Sequence, residues 1–275
     1  MIPYPFTYHR ATSLAEAQSR LKGEAKLLAG GQTLVAAMKL RLAAPSDLID
    51  ISQLKELSFV RREGGTLLIG AGTTHHEVAT SQVVAASIPA LQRLAEMIGD
   101  PAVRYRGTLG GSIANNDPAA DYPAALVGLG ATVRTTRRDI AAGDFFTGMF
   151  ATALDEDEIV TQVRFPVPER AAYQKFRNPA SRFALAGVFV AKTGAGARVA
   201  VIGAGPCVFR VPEMERALDN EFRPDAIRDI AIDPAALNSD IHAGAEYRAH
   251  LVGVLARRAV ESAVDNAAAD HSGMA

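Results

Sequence analysis

Residues 26–34 read KLLAGGQTL: a short apolar run, Lys26-Leu27-Leu28-Ala29, enters the glycine pair Gly30-Gly31, and Gln32, Thr33 and Leu34 follow. Residues 107–121 repeat the device as GTLGGSIANNDPAAD, with Gly110-Gly111 held between Thr108 and Ser112 and with Asp121 at the end. Each pair sets residues without bulk, and a hydroxyl, at the end of an apolar segment. Glycine tolerates positive φ and lets a backbone come close to a phosphate group. Successive N–H groups in such a turn form an anion-binding nest, to which Thr33, Thr108 and Ser112 can add hydroxyl donors. A single Gly-Gly is most often a plain tight turn. Two such pairs, neither followed by a lysine, argue for a paired phosphate cradle and against G-x-x-x-x-G-K-[ST].

Outward from the first pair, Ser13-Leu14-Ala15-Glu16 predicts a capped helix running to about Leu21. Lys26–Ala29 predicts a buried strand, 34–42 a helix with apolar residues at 34, 35, 38 and 42, and Leu48–Ile51 another strand. That order puts the first glycine pair at the carboxyl end of a strand, where α/β proteins bind ligands. Around Glu63-Gly64-Gly65 the sequence predicts a hairpin. Helices are expected from near His75 and over 88–98, then the second glycine loop over 107–118 and a helix over 121–129. A strand is expected at 131–135, a turn at 145–148 and an alternating strand over 158–165, stopped by Pro166 and Pro168. VPERAAY (167–173) reads as a linker. Beyond it come strands at 184–191 and 197–202 and helices at 212–218 and 246–264, a smaller α+β unit of ordinary domain size.

Composition excludes several classes. The 275 residues suffice for two domains, and the 48% hydrophobic and 21% charged fractions are those of an ordinary globular chain. With 29 basic and 30 acidic residues and no long run of one sign, nucleic acid is not an expected partner. One cysteine, Cys207, leaves no intrachain disulfide and no Cys-ligated iron–sulfur cluster. No transmembrane segment or signal peptide is expected, and a cytoplasmic location follows. Val201–Val208 (VIGAGPCV) imitates a dinucleotide fingerprint, but Val208 stands where the third glycine belongs and Pro206 interrupts the turn. His75-His76-Glu77 reads as a polar helix start rather than a metal site, and Asp155–Glu158 as a solvated acidic turn. No G-x-S-x-G occurs, and no catalytic residue is expected on this chain.

LLAGGQTLVAAMKLRLAAPSDLIDIS and RGTLGGSIANNDPAADYPAAL resemble the two FAD loops of the medium, flavin-binding subunit of molybdenum hydroxylases, the group of carbon monoxide and xanthine dehydrogenases. The resemblance runs from about Tyr8 to about Val260. It implies an α+β fold: a PCMH-type FAD-binding domain over 1–168, with subdomains of about 1–56 and 57–168, then a C-terminal domain over 172–275 like that of carbon monoxide dehydrogenase flavoproteins. By position it implies that Leu27, Leu28, Ala29, Gly30, Gly31, Gln32, Thr33 and Leu34 hold the FAD pyrophosphate, together with Thr108, Leu109, Gly110, Gly111 and Ser112. Ile98 packs on the cofactor, Asp121 hydrogen-bonds it, and Val160 and Lys175 line the isoalloxazine. The implied partners are a small subunit with two [2Fe–2S] clusters and a large subunit with a molybdenum–pterin cofactor, in a dimer of heterotrimers. Peripheral association with the inner face of the membrane through that complex is compatible with this assembly. The function implied is electron transfer from the clusters through FAD to an external acceptor. Two alternatives stay open at this level: a self-contained flavin oxidase or reductase of the same fold, and a flavin-free scaffold.

Overall fold

The computed structural model describes residues 2–272, with side chains described through residue 265. The chain begins with a parallel sheet of β1 (Thr7–Arg10), β2 (Lys26–Leu28) and β3 (Asp47–Asp50), ordered β1-β3-β2. Helix α1 (Leu14–Arg20) lies between β1 and β2, and α2 (Leu34–Lys39) carries the crossover from β2 to its parallel neighbour β3. Ser13 caps α1 by accepting from Glu16 N, whereas the Glu16 carboxylate reaches back to the amide and hydroxyl of Thr12. The β2-to-α2 loop therefore stands at the carboxyl edge of this sheet.

A larger antiparallel sheet follows. The hairpin β4 (Val60–Glu63) and β5 (Thr66–Gly70) turns at Gly64, whose φ of +58° suits glycine. Six helices then intervene: α3 (His75–Thr80), α4 (Gln82–Ser87), α5 (Pro89–Glu96), α6 (Pro101–Arg106), α7 (Leu109–Asn115) and α8 (Tyr122–Leu129). After them come β6 (Thr132–Thr135), β7 (Asp139–Ala141), a short helix α9 (Ala142–Phe145), the ribbon β8 (Phe146–Gly148) with β9 (Ala151–Thr152), and β10 (Val160–Pro166). The sheet order is β4-β5-β10-β6-β7. All eight residues of α8 are buried, which explains why its sequence lacks a polar face. Burying one of its leucines stabilises the fold by about 1.5–3 kcal/mol.

The third sheet holds β11 (Arg170–Arg177), β12 (Ala184–Thr193), β13 (Gly196–Ile202) and β14 (Phe209–Arg210) in sequential antiparallel order. One of its faces, with Tyr173, Phe189 and Ile202, joins the core around α8; the other, with Val188, Val190 and Val199, packs against α10 (Pro212–Asn220) and α11 (Ala245–Ser272). Burial on both faces accounts for the unbroken apolar run Ala184–Ala191.

Five expectations change. Strand β2 is not buried: it stands at the sheet edge beside the groove, with Lys26 exposed and Leu27 and Leu28 half-buried. Gly110 and Gly111 sit in the first turn of α7 rather than in a loop. The turn at 145–148 is the end of α9 and strand β8, paired with β9. The linker shrinks to Val167–Glu169, because from Arg170 the chain is already strand and Tyr173 is needed in the core. Of the acidic run, Asp155 and Asp157 are exposed on Arg137, but the Glu158 side chain is buried against Thr135 and Arg138. Burial pushes the Glu158 carboxyl up, but hydrogen bonds from Arg138, Thr135 and the Asp155 amide outweigh that and hold it down at about 2.

Candidate cofactor-binding site

Both glycine pairs face one groove of about 750 Å³ between the parallel sheet and the middle sheet, roofed by the Ser181–Phe183 turn between β11 and β12. The two loops touch there. A Cβ on Gly30 would lie 2.0 Å from the carbonyl oxygen of Arg106, so only glycine permits the approach.

The first loop leaves its backbone free. Among the described residues, the amides of Ala29, Gly30, Gly31, Gln32 and Thr33 have no hydrogen-bond partner. Gly31, at φ +73°, turns the chain so that this run can curve around one point. The second loop differs. Thr108 caps α7, its hydroxyl accepting from Gly111 N at 3.1 Å. Leu109 N bonds to Thr73 O, Gly110 N to Ala71 O, and Ser112 N to Thr108 O. Gly110 is pressed on Ala71, where a Cβ would come within 2.6 Å of another Cβ. At Gly111 a Cβ would meet only the Thr108 hydroxyl, at 2.9 Å, and would otherwise project into the groove.

The groove floor carries a buried charge pair. Asp121 precedes α8 and is 5% exposed. Lys175 Nζ lies 2.8 Å and 3.0 Å from its two oxygens, and the Tyr173 hydroxyl donates to it at 2.6 Å. Burial pushes the Asp121 carboxyl up, while Lys175 and Tyr173 act against that shift. Lys175 also donates to Met97 O, at the end of α5. Next to it, Arg104 donates to the carbonyls of Ile98 and Gly99, and Arg182 to that of Gly99. Cations thus gather at the carboxyl end of α5, where the helix dipole favours them.

The structure brings together Leu27, Leu28, Ala29, Gly30, Gly31, Gln32, Thr33, Leu34, Ile98, Thr108, Gly110, Gly111, Ser112, Asp121 and Val160 as lining of this one groove. Leu109 and Lys175 are not surfaces of it. Leu109 is fully buried in the core, and the Lys175 side chain, 1% exposed, lies behind Asp121. Sequence reasoning passed over Tyr105, Glu158, Arg182 and Phe183, which also line the groove, and His75, whose ring is buried at its wall. The signal for His75 was its spacing: 75, 78 and 79 form the buried face of α3. Its neighbour His76 points elsewhere and stacks on Tyr105 at 3.9 Å between centroids.

The groove fits FAD on three counts. Its volume is that of a site for a large ligand. Its wall presents consecutive unpaired N–H donors to an anion. Beyond them it offers apolar surface from Ile98 and Val160 and a buried carboxylate for a donor group.

Comparison with known proteins gives one consistent result. Residues 4–168 match the family described as the FAD-binding domain in molybdopterin dehydrogenase. The chain is 36% identical to the carbon monoxide dehydrogenase medium chain of Afipia carboxidovorans, over 96% of this chain and 98% of that one. It is 35% identical to the glyceraldehyde dehydrogenase medium chain of Sulfolobus acidocaldarius, over 94% and 98%. The fold matches a chain of carbon monoxide dehydrogenase from Hydrogenophaga pseudoflava with a TM-score of 0.89 and 36% identity, covering 96% and 99% of the two chains.

Proposed function

The chain belongs to the FAD-binding family of molybdopterin dehydrogenases, and from that premise we infer that it is the flavin-carrying medium subunit of a molybdenum hydroxylase complex. Its partners in this reading are a small subunit with two [2Fe–2S] clusters and a large subunit with the molybdenum–pterin cofactor. When bound, FAD supplies an exchange between single electrons from the clusters and an external acceptor. Substrate chemistry belongs to the large subunit, so no residue of this chain is given a part in it.

The observation that supports the placement of the cofactor is the run of five unpartnered amides at the carboxyl end of β2. In this reading those amides and the Thr33 hydroxyl hold the pyrophosphate, with Leu27, Leu28 and Leu34 fixing the ends of the loop. Gly111 and Ser112 form the opposite wall, where the missing Cβ of Gly111 leaves room for phosphate oxygens. Ile98 and Val160 give apolar contact, and Asp121 accepts a hydrogen bond from a hydroxyl or ring N–H. Leu109 and Lys175 act from behind. Leu109 anchors the start of α7, and Lys175, with Tyr173, holds the Asp121 carboxyl in place and opposes the upward push of burial on it. The FAD-binding part ends at 167–169, where pairing passes from β10 to β11, and the C-terminal domain follows.

Purification of the tagged chain from its native host tests this. Flavin absorption, iron, molybdenum and two co-purifying chains are expected. A solitary flavin-bearing chain that oxidises a substrate unaided would replace this reading with a self-contained oxidase. A chain that takes up no flavin under any loading condition would leave a scaffold.

A further inference from the structure

Two polar groups beside the groove have no partner. His75 opens α3 and is 5% exposed, and Tyr122 opens α8 and is fully buried. Among the described residues, neither His75 Nδ1 nor the Tyr122 hydroxyl has a hydrogen-bond partner. Their rings face each other at 5.4 Å between centroids, tilted by 48°. Both residues are tied to the candidate site. His75 N donates to Gly107 O at 2.9 Å, and Tyr122 directly follows Asp121. The imidazole lines the groove and passes so close under Gly107 that a Cβ there would come within 2.5 Å of Nε2.

Buried polar atoms without partners are unfavourable, because they lose hydrogen bonds to water and gain nothing in return. A phenylalanine at either position would fill the same space without that penalty. Such groups persist where function requires them, at a loss of stability.

We infer that His75 is a further cofactor-binding residue, a neutral imidazole that hydrogen-bonds the ribityl–pyrophosphate span of the flavin through Nε2. Its Nδ1 is engaged by the Tyr122 hydroxyl through one internal water. The inference rests on the FAD reading of the groove. Burial, with a smaller contribution from the Arg104 cation, holds the imidazole down to about 4, so the ring is uncharged at neutral pH. Burial and the neighbouring Asp121 charge raise the Tyr122 phenol, which therefore stays protonated and available as a donor. In a neutral imidazole one nitrogen donates and the other accepts. A donor at Nδ1 fixes the proton on Nε2, which then faces the groove as a donor to phosphate or hydroxyl oxygen. One water with these two polar partners meets the usual minimum for an internal site.

The test compares FAD affinity with stability of the flavin-free full-length chain. His75→Phe should weaken FAD binding about tenfold, while the flavin-free protein unfolds at the same temperature or higher. Tyr122→Phe should also leave or raise that temperature and weaken binding about threefold. His75→Gln, which keeps a donor and an acceptor, should recover most of the affinity. Imidazole nitrogens labelled with ¹⁵N should show a single Nε2–H tautomer once FAD is added. Unchanged affinity in His75→Phe would overturn the inference, as would an affinity loss matched by an equal loss of flavin-free stability, the mark of a packing role. Wild-type protein that takes up no FAD would sink the groove reading and this inference together. Wild-type uptake with His75→Phe unaffected would sink only the inference.

Discussion

The two glycine pairs look alike in sequence and do different work. Around Gly30-Gly31 five consecutive amides are free and the backbone turns through a positive φ. Around Gly110-Gly111 the amides from Leu109 to Ser112 are all engaged by Thr73, Ala71 and Thr108, and the segment is the first turn of a capped helix. In the proposed reading the first pair is the cradle. The second is a joint that holds α7 against the residues just past the end of β5 and leaves one position, Gly111, without a side chain on the groove side. Glycine at a ligand site thus has two separate uses: freeing donors, and letting two pieces of backbone approach each other.

Substitutions sharpen the contrast. Gly30→Val should have the largest effect, because its Cβ would overlap the Arg106 carbonyl and force the loops apart. A loss of more than about 3 kcal/mol in urea unfolding is expected, with no flavin retained. Gly110→Ala should act mainly on stability, at about 1–3 kcal/mol, since its clash with Ala71 lies inside the joint. Thr108→Ala removes the α7 cap and should lower stability by about 1 kcal/mol, measured in the same way. Gly111→Ala should be the mildest for the fold, less than about 1 kcal/mol, because its methyl crowds only the Thr108 hydroxyl, which must shift slightly, and alanine is the better helix former. Yet the same change should weaken FAD binding about tenfold or more, read by titration of the flavin-free chain. Equal stability losses at Gly110 and Gly111 would erase the distinction between a buried joint and an open wall.

Much of this architecture was legible in the residues. The periodic and apolar runs announced β2, β3, the β4–β5 hairpin, α5, β12 and β13, because those elements are encoded locally. The rest depends on distant contacts. Gly-Gly is a poor helix former and hides the local cap signal of Thr108; the carbonyls of Ala71 and Thr73, distant in sequence, help decide that a helix starts here. Proline and charge around 166–170 suggest a linker, but pairing with β12 and the Tyr173–Asp121 hydrogen bond extend the strand to Arg170. At the site, both loops were readable as glycine pairs from their motifs, and Asp121 only from the family resemblance that those motifs carry. His75 was hidden by its polar neighbours, and the position of Lys175 behind Asp121 rather than in the groove is set by packing of β11 on α5.

Amide hydrogen exchange with and without FAD is the most direct test of the contrast. The Ala29–Thr33 amides should exchange fast in the flavin-free chain and become protected when FAD is added, while Leu109–Ser112 are protected throughout. Protection of Ala29–Thr33 that ignores FAD, or FAD-dependent protection confined to Leu109–Ser112, would contradict the assignment of the first loop as the cradle.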